Sequence, residues 1–288
     1  MKKLYVLSAL MLLFLSARSQ KESVEPEKSG DKFFFGFTYS FLHADMKLLS
    51  MTKHSVWADQ DLGTKELTKN EIDTINSFMD YTEMIHNLSL SAGMVFLNKP
   101  GNHWYIDGKI TVGFAIRKNT LLNTENDNQA ESKHYSPSFG LGFNFKYLFN
   151  DKWALNLGVS TLYFSSKINN IDENIFPDVY FLDEKKENKL NFSYTNACFM
   201  ACYTVKKFTI QAGPGFYYLF NQNKYHIVRT SSENGATFED YIETTLRADM
   251  FIEGCIRADW RISGHFLITA GAGIGKDIYV NAGLIYYL

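Results

Sequence analysis

Apolar and polar residues alternate along most of the chain after residue 32. The stretch FFFGFTYSF, residues 33–41, carries bulky residues on its odd positions and small or hydroxyl residues at 36, 38 and 40. A period of two is typical of β-strands that present one face to an apolar environment. Nine later segments repeat it, and we predict further strands at 87–97, 104–117, 138–149, 153–164, 190–205, 208–220, 246–262, 266–275 and 278–288.

Two of these segments have special features. In 190–205 the large residues change from even positions, such as Phe192 and Tyr194, to odd ones, and a β-bulge would explain the change. In 246–262 the apolar residues, from Leu246 to Ile262, occupy even positions, whereas the odd positions carry charges of both signs. We therefore predict that the even face of this segment is apolar and the odd face polar.

The connections between the predicted strands alternate between long and short. A loop of about forty residues follows the first strand, and it contains a capping-box pair, Thr68 and Glu71, before residues at helical spacing. Short turns such as SGH alternate with long loops such as 167–189. Ten strands with this alternation indicate an all-β fold, a transmembrane antiparallel up-and-down β-barrel with long extracellular loops and short periplasmic turns.

The composition of the polar face distinguishes a membrane barrel from a soluble one. A solvated face is usually rich in Lys and Glu, but here Gly, Ser, Thr and Asn dominate it, as suits a crowded lumen. The apolar face, including Phe33 to Phe41, is then predicted to face lipid. The charges of the polar face form a predicted ladder in the lumen: Arg247, Asp249, Glu253, Arg257, Asp259, Arg261, Asp107, Lys109, Arg117 and Lys146.

Aromatic residues make up 16% of the chain, and several lie at strand ends beside short turns. Aromatic side chains concentrate at membrane interfaces. We expect one aromatic girdle, formed by Trp104, Trp153, Trp260, Tyr286 and Tyr287.

The N-terminus has the features of an export signal. Lys2 and Lys3 precede an apolar run, and small residues flank position 18, which predicts a signal peptide at 1–19 and a periplasmic segment at 20–31. The barrel domain would then span 32–288. Removing Lys2, Lys3 and Arg18 changes the formal net charge from −2 to −5, which argues against nucleic acid as a partner.

The last eight residues, NAGLIYYL, carry a family resemblance. Asn281, Gly283, Tyr286 and Leu288 resemble the terminal-strand signal of bacterial outer-membrane β-barrels, although that family more often ends in Phe. The mature chain is similar in architecture to small porin-like barrels, including the group called PorT-like. The resemblance implies the outer membrane of a Gram-negative bacterium, contact with its lipid and lipopolysaccharide, and recognition by the barrel-assembly machinery.

The cysteines and histidines give little support to catalysis or metal binding. Cys198 and Cys202 are too far apart along one strand to bridge, so we predict Cys198, Cys202 and Cys255 as packing residues and expect no metal and no cofactor. His134 and Ser136 resemble a His-x-Ser arrangement of a lipid A deacylase family, but no companion carboxylate can be assigned.

The pattern therefore predicts a non-enzymatic barrel with a largely filled polar lumen. Its outer loops, 45–84 and the acidic 167–189, are candidates for binding an extracellular partner or ligand, because function concentrates in loops on a rigid scaffold. A narrow channel for small solutes is the alternative hypothesis, and a membrane-embedded hydrolase is the third.

Overall fold

A computed structural model of the chain describes residues 33–58, 60–98, 103–124, 128–169, 181–231 and 235–288. The predicted signal peptide and the segment 20–31 lie outside these residues. The elements in chain order are β1 (Phe33–Met46), β2 (Ser50–Trp57), β3 (Gln60–Glu66), α1 (Lys69–Phe78), β4 (Met79–Asn98), β5 (Trp104–Asn123), β6 (Asn128–Leu148), β7 (Trp153–Asn169), β8 (Phe181–Val205), β9 (Phe208–Ser231), β10 (Thr237–Arg261), β11 (Phe266–Ile274) and β12 (Ile278–Tyr287).

Ten of the strands close into one antiparallel barrel. The order runs β11-β12-β1-β4-β5-β6-β7-β8-β9-β10, and β10 pairs with β11 to complete the ring. All strand pairs are antiparallel, and most neighbours along the chain are neighbours in the sheet. The predicted up-and-down barrel of ten strands is confirmed, with β2 and β3 as two additional strands.

The two faces of the wall follow the predicted alternation. On β1, Phe33, Phe35, Phe37 and Tyr39 are exposed on the outside, each at least 42% accessible, whereas Phe34 and Ser40 are buried inside. A wall with its large apolar side chains outside suits a hydrocarbon environment.

Two details of the alternation differ from the sequence prediction. β8 keeps its register against β7 and against β9 from Asp183 to Val205, so it contains no bulge near Phe192 and Tyr194. Both rings simply pack inside the barrel. The bulge lies instead in β10, between Thr245 and Arg247, so Leu246 is buried inside rather than facing lipid.

The strands are unequal in length, and this shapes one end of the barrel. At the end that also holds the C-terminus, turns of two to five residues connect the strands. At the other end β4–β10 continue as a tall wall, whereas β11 and β12 are only 9 and 10 residues long. We call these the short-turn end and the long-strand end.

The strand β2 occupies the gap above the short β11–β12 hairpin. It pairs with β10 from Ser50↔Thr245 to Trp57↔Phe238, where β10 has no β11 residues beside it. The chain reaches this position directly from β1, because the amides of Lys47 and Leu49 donate to the carbonyls of Leu246 and Thr245. The first long loop is thus largely a part of the wall.

The helix α1 begins with the capping box that its sequence predicts. The Glu71 amide donates to the Thr68 hydroxyl, and the Glu71 carboxylate accepts from the Thr68 amide at 2.8 Å. Asn76 holds the helix against the chain after β1 by bonding both the amide and the carbonyl of Leu48. Among the described residues, no helix is long and apolar enough to cross a membrane.

Candidate functional site

The lumen is the candidate site, and an apolar layer crosses it toward the long-strand end. Inward side chains from β1, β4, β5 and β7–β10 meet there, and all are at most 9% exposed. The rings of Phe164 and Phe192 stack at 4.7 Å, and Tyr194 and Tyr217 lie beside one another at 5.7 Å. We call this the upper layer, and its members are Leu42, Ala44, Met46, Ile85, Ala115, Phe164, Phe192, Tyr194, Tyr217, Leu219 and Leu246.

A buried ion pair lies within the upper layer. Arg117, a predicted ladder residue, pairs with Glu83, and the two side chains are 1% and 0% exposed. The amide oxygen of Asn221 accepts a further bond from Arg117 at 3.1 Å. A buried charge needs a partner, but Glu83 lies outside the predicted strand on β4, so sequence reasoning missed it.

A second pair closes the layer above the short hairpin. Arg247 binds both carboxylate oxygens of Asp277 at 2.8 Å, and its guanidinium also donates to the carbonyl of Asp45. Asp277 accepts from the Tyr217 hydroxyl at 2.7 Å. Because the β11–β12 hairpin ends inside the taller wall, its turn residue is buried instead of reaching solvent.

A polar cavity of about 180 Å³ lies below the upper layer. Hydroxyl and amide side chains from many strands line it, together with Lys109 and Arg257 from the predicted ladder. Glycines keep this part of the lumen open. A Cβ at Gly140 would meet the Thr161 carbonyl at 2.6 Å, and one at Gly142 would meet the Lys109 side chain at 2.9 Å.

A disulfide joins Cys198 of β8 to Cys255 of β10 at the cavity wall. The prediction that both are packing residues is wrong, because spacing along one strand tests only the pair Cys198 and Cys202 and not a pair on two different strands. The bond passes over β9, where Gly215 leaves the space: a Cβ there would lie 2.5 Å from the Cys255 sulfur. Cys202 is free and buried and donates to Gln211.

Glu253, another ladder residue, lies beside this disulfide. It accepts hydrogen bonds from Tyr194 and Asn196, and its carboxylate fills the space that a Cβ at Gly273 would need. Ligand atoms of Cys198, Glu253 and Cys255 lie within 4.8 Å of one another, the one such group in the described part of the chain. In the disulfide neither sulfur is a thiolate, which is the form that binds metals.

Of the remaining ladder residues, Asp249 is in register with Leu219 of the upper layer, and the others lie closer to the short-turn end and form what we call the lower layer. Arg257 donates to Asp259 at 2.8 Å, and Gln211 donates to the same carboxylate. Asp107 accepts from Asn144 at 2.9 Å. Lys146 pairs in register with inward Asn156, and Arg261 lies over the Tyr287 ring at 5.4 Å.

Four of the five residues of the predicted girdle point outward at the short-turn end, and one does not. Trp104, Trp153, Trp260 and Tyr286 are exposed on the outside. Tyr287 faces the lumen, where its ring lies 5.6 Å from Phe34, because consecutive strand residues point to opposite faces. In the C-terminal signal, Asn281 and Gly283 face inward, whereas Tyr286 and Leu288 face outward.

The His134 and Ser136 pair does not face lipid. Both side chains are buried on the inner face of β6, where His134 is opposite Arg117 in register. An acyl chain in the membrane has no access to them from that side. Of the acidic loop 167–189, residues 170–180 lie outside the described residues.

A match to a known protein family agrees with this architecture. The family described as outer membrane protein beta-barrel domain matches residues 98–275. No curated protein matches the chain. Solved structures that resemble it include the outer membrane protease OmpT from Escherichia coli (10% identity, 93% of this chain and 100% of that one, TM-score 0.43) and the translocator domain of the autotransporter NalP from Neisseria meningitidis (9%, 100% and 98%, 0.39). The toluene transporter TodX from Pseudomonas putida has 9% identity, 90% coverage of both chains and a TM-score of 0.38. The chain belongs to the outer membrane protein beta-barrel domain family.

Proposed function

We propose that this outer-membrane barrel is a closed, non-enzymatic scaffold whose extracellular end binds a partner. The observation that carries the proposal is the upper layer. Its aromatic and aliphatic side chains are buried across the lumen, and among the residues that the structure describes these packed apolar groups leave no hydrated path for a solute. The short turns lie at the periplasmic end of such barrels, so the long-strand end is extracellular.

The extracellular end offers a structured surface for a partner. All residues of β3 are exposed, and within the described residues β3 pairs only with β2, so its outer edge is free. An exposed strand edge can accept an added strand from another chain. Trp57 and Leu62 are at least half exposed beside it. The segment 45–84 is therefore the leading partner site, and 167–189 is the second.

A narrow solute path is the second candidate function. The polar cavity supports it, because hydroxyl, amide and cationic groups there could hydrate or bind a small solute. The two candidates differ in one property: a path must open through the upper layer, whereas a scaffold keeps that layer closed.

Single-channel conductance of the refolded full chain in a planar bilayer distinguishes the closed scaffold from the solute path. We expect no steady openings for the wild type. A Phe164→Ala/Phe192→Ala variant removes the stacked rings of the upper layer and should give small openings. The matched control, Phe139→Ala/Phe143→Ala, removes two rings from the lipid face and should stay silent.

Steady openings of the wild type would support the solute path and contradict the closed scaffold. Circular dichroism and the heat-modifiable electrophoretic shift of folded barrels would establish that silent samples are folded and inserted. Silence of both Phe variants would show that the upper layer alone does not close the lumen.

A further inference from the structure

Lysines recur at one height on the outside of the barrel wall. Four neighbouring side chains form what we call the lysine row: Lys118 on β5, Lys133 on β6, Lys189 on β8 and Lys224 on β9. On each of these strands the outward positions between the short-turn end and the lysine are uncharged, and many are large and apolar. The row is therefore the first charge above the lipid-facing belt.

The strand register brings these lysines side by side. Lys118 is directly opposite Lys133, and Lys189 is directly opposite Lys224. On β7, between the two pairs, the residue in register with Lys189 is again a lysine, Lys167. Like charges directly opposite on neighbouring strands are destabilising. Repeated Lys–Lys pairs thus imply a counter-charge from outside the wall.

Within the residues that the structure describes, acidic side chains supply part of that counter-charge. Lys118 pairs with Glu131 at 2.9 Å and Lys224 with Glu243 at 2.7 Å, and these side chains are 39–47% exposed. Such exposed pairs contribute little energy. The Lys133 ammonium lies 5.4 Å from the centroid of the outward Tyr135 ring on the same strand.

The row occupies one side of the barrel. On β10, the first charge above the outward apolar positions is acidic, Glu243, and Glu239 lies four residues, or two outward positions, beyond it. A general need for solubility at the extracellular rim would not select lysine on one group of adjacent strands and glutamate on the next.

We propose that the lysine row binds the phosphate groups of an outer-leaflet glycolipid. Lys133 lies one outward position above the ring of Tyr135, and Lys224 lies three outward positions above that of Tyr218, so the row stands beyond the outward rings, on the side of the lipid headgroups. Lysine binds phosphate as a point charge. The proposal uses only the orientation of the barrel and does not depend on whether the lumen conducts.

Native mass spectrometry of the full chain in detergent tests this with purified bisphosphorylated lipid A as the probe. The row variant Lys118→Gln/Lys133→Gln/Lys189→Gln/Lys224→Gln should bind the lipid more weakly, by roughly fivefold for each lysine removed. The matched control Lys65→Gln/Lys69→Gln/Lys152→Gln/Lys207→Gln loses the same charge away from the row and should bind as the wild type does. Raising the salt concentration should weaken wild-type binding and leave the row variant little changed.

Three results would overturn the proposal. Equal binding of dephosphorylated lipid A would exclude phosphate as the recognised group. An equal loss of lipid binding in the control variant would show that the net charge of the protein, and not the lysine row, determines binding. Displacement of the lipid by millimolar inorganic phosphate alone would make a free anion, and not a lipid, the ligand.

Discussion

The upper and lower layers of the lumen hold charges in different ways. In the upper layer, Arg117 and Glu83 are 1% and 0% exposed among apolar side chains. In the lower layer, Arg257 and Asp259 are 27% and 13% exposed beside amides and the polar cavity. Removing one partner of a buried pair leaves an uncompensated charge away from water, whereas water can solvate the charge that remains in a hydrated pair. The same inward alternation therefore gives a closing layer at one height and a hydrated one at another.

The largest predicted effect comes from breaking the buried pair. Arg117→Met should lower the free energy of unfolding by about 3–5 kcal/mol, because Glu83 then remains buried without its cation. Equilibrium unfolding in detergent with guanidinium measures the change. The double variant Glu83→Met/Arg117→Met removes both charges and should recover most of the loss. Equal stability of Arg117→Met and the wild type would contradict the dry upper layer.

The second-largest effect on stability is expected from removing the Cys198–Cys255 disulfide, which lies between the two layers. Cys198→Ser/Cys255→Ser should lose about 2–4 kcal/mol, because the disulfide constrains a separation of 57 residues in the unfolded chain. Melting temperatures with and without reductant give the measurement, and reductant should lower only the wild type. The control is Cys202→Ala, which keeps the disulfide. A wild type that does not respond to reductant while its thiols become alkylated would contradict a stabilising bond.

The sequence could predict the wall better than the contents of the lumen. Alternation identified ten strands and the outward set beginning at Phe33, since a period of two depends only on local order. The positions of Phe192 and Tyr194 wrongly predict a bulge, because an aromatic side chain fits lipid and a packed lumen equally well. Predicting the Cys198–Cys255 bond requires the strand order, in which β9 lies between β8 and β10, and the absence of a side chain at Gly215, where the bond crosses β9. Glu83 and Asp277 lie beyond predicted strand ends, so no spacing linked them to Arg117 and Arg247.

A smaller effect is expected from the equivalent change in the lower layer. Arg257→Met should cost about 1 kcal/mol, because Asp259 keeps its bond from Gln211 and has access to water. The same guanidinium unfolding experiment compares it with Arg117→Met. If the two variants lost equal stability, the distinction between a dry and a hydrated layer would be wrong.

The smallest effect lies outside both layers, in the solvent-exposed cap of α1. The Thr68 amide, then Lys65 and the Thr68 hydroxyl, lower the pKa of Glu71 from 4.5 to about 2. A lowered carboxyl pKa stabilises the folded form fully above pH 4.5, and that contribution is lost as the pH falls toward 2. The carboxyl carbon shift of Glu71 should therefore titrate near pH 2 in labelled protein, and Thr68→Ala should move the midpoint toward 4.5. A wild-type midpoint near 4.5 would mean that the capping box does not form in solution. In that case α1 would be a less rigid part of the proposed partner site than the strands β2 and β3.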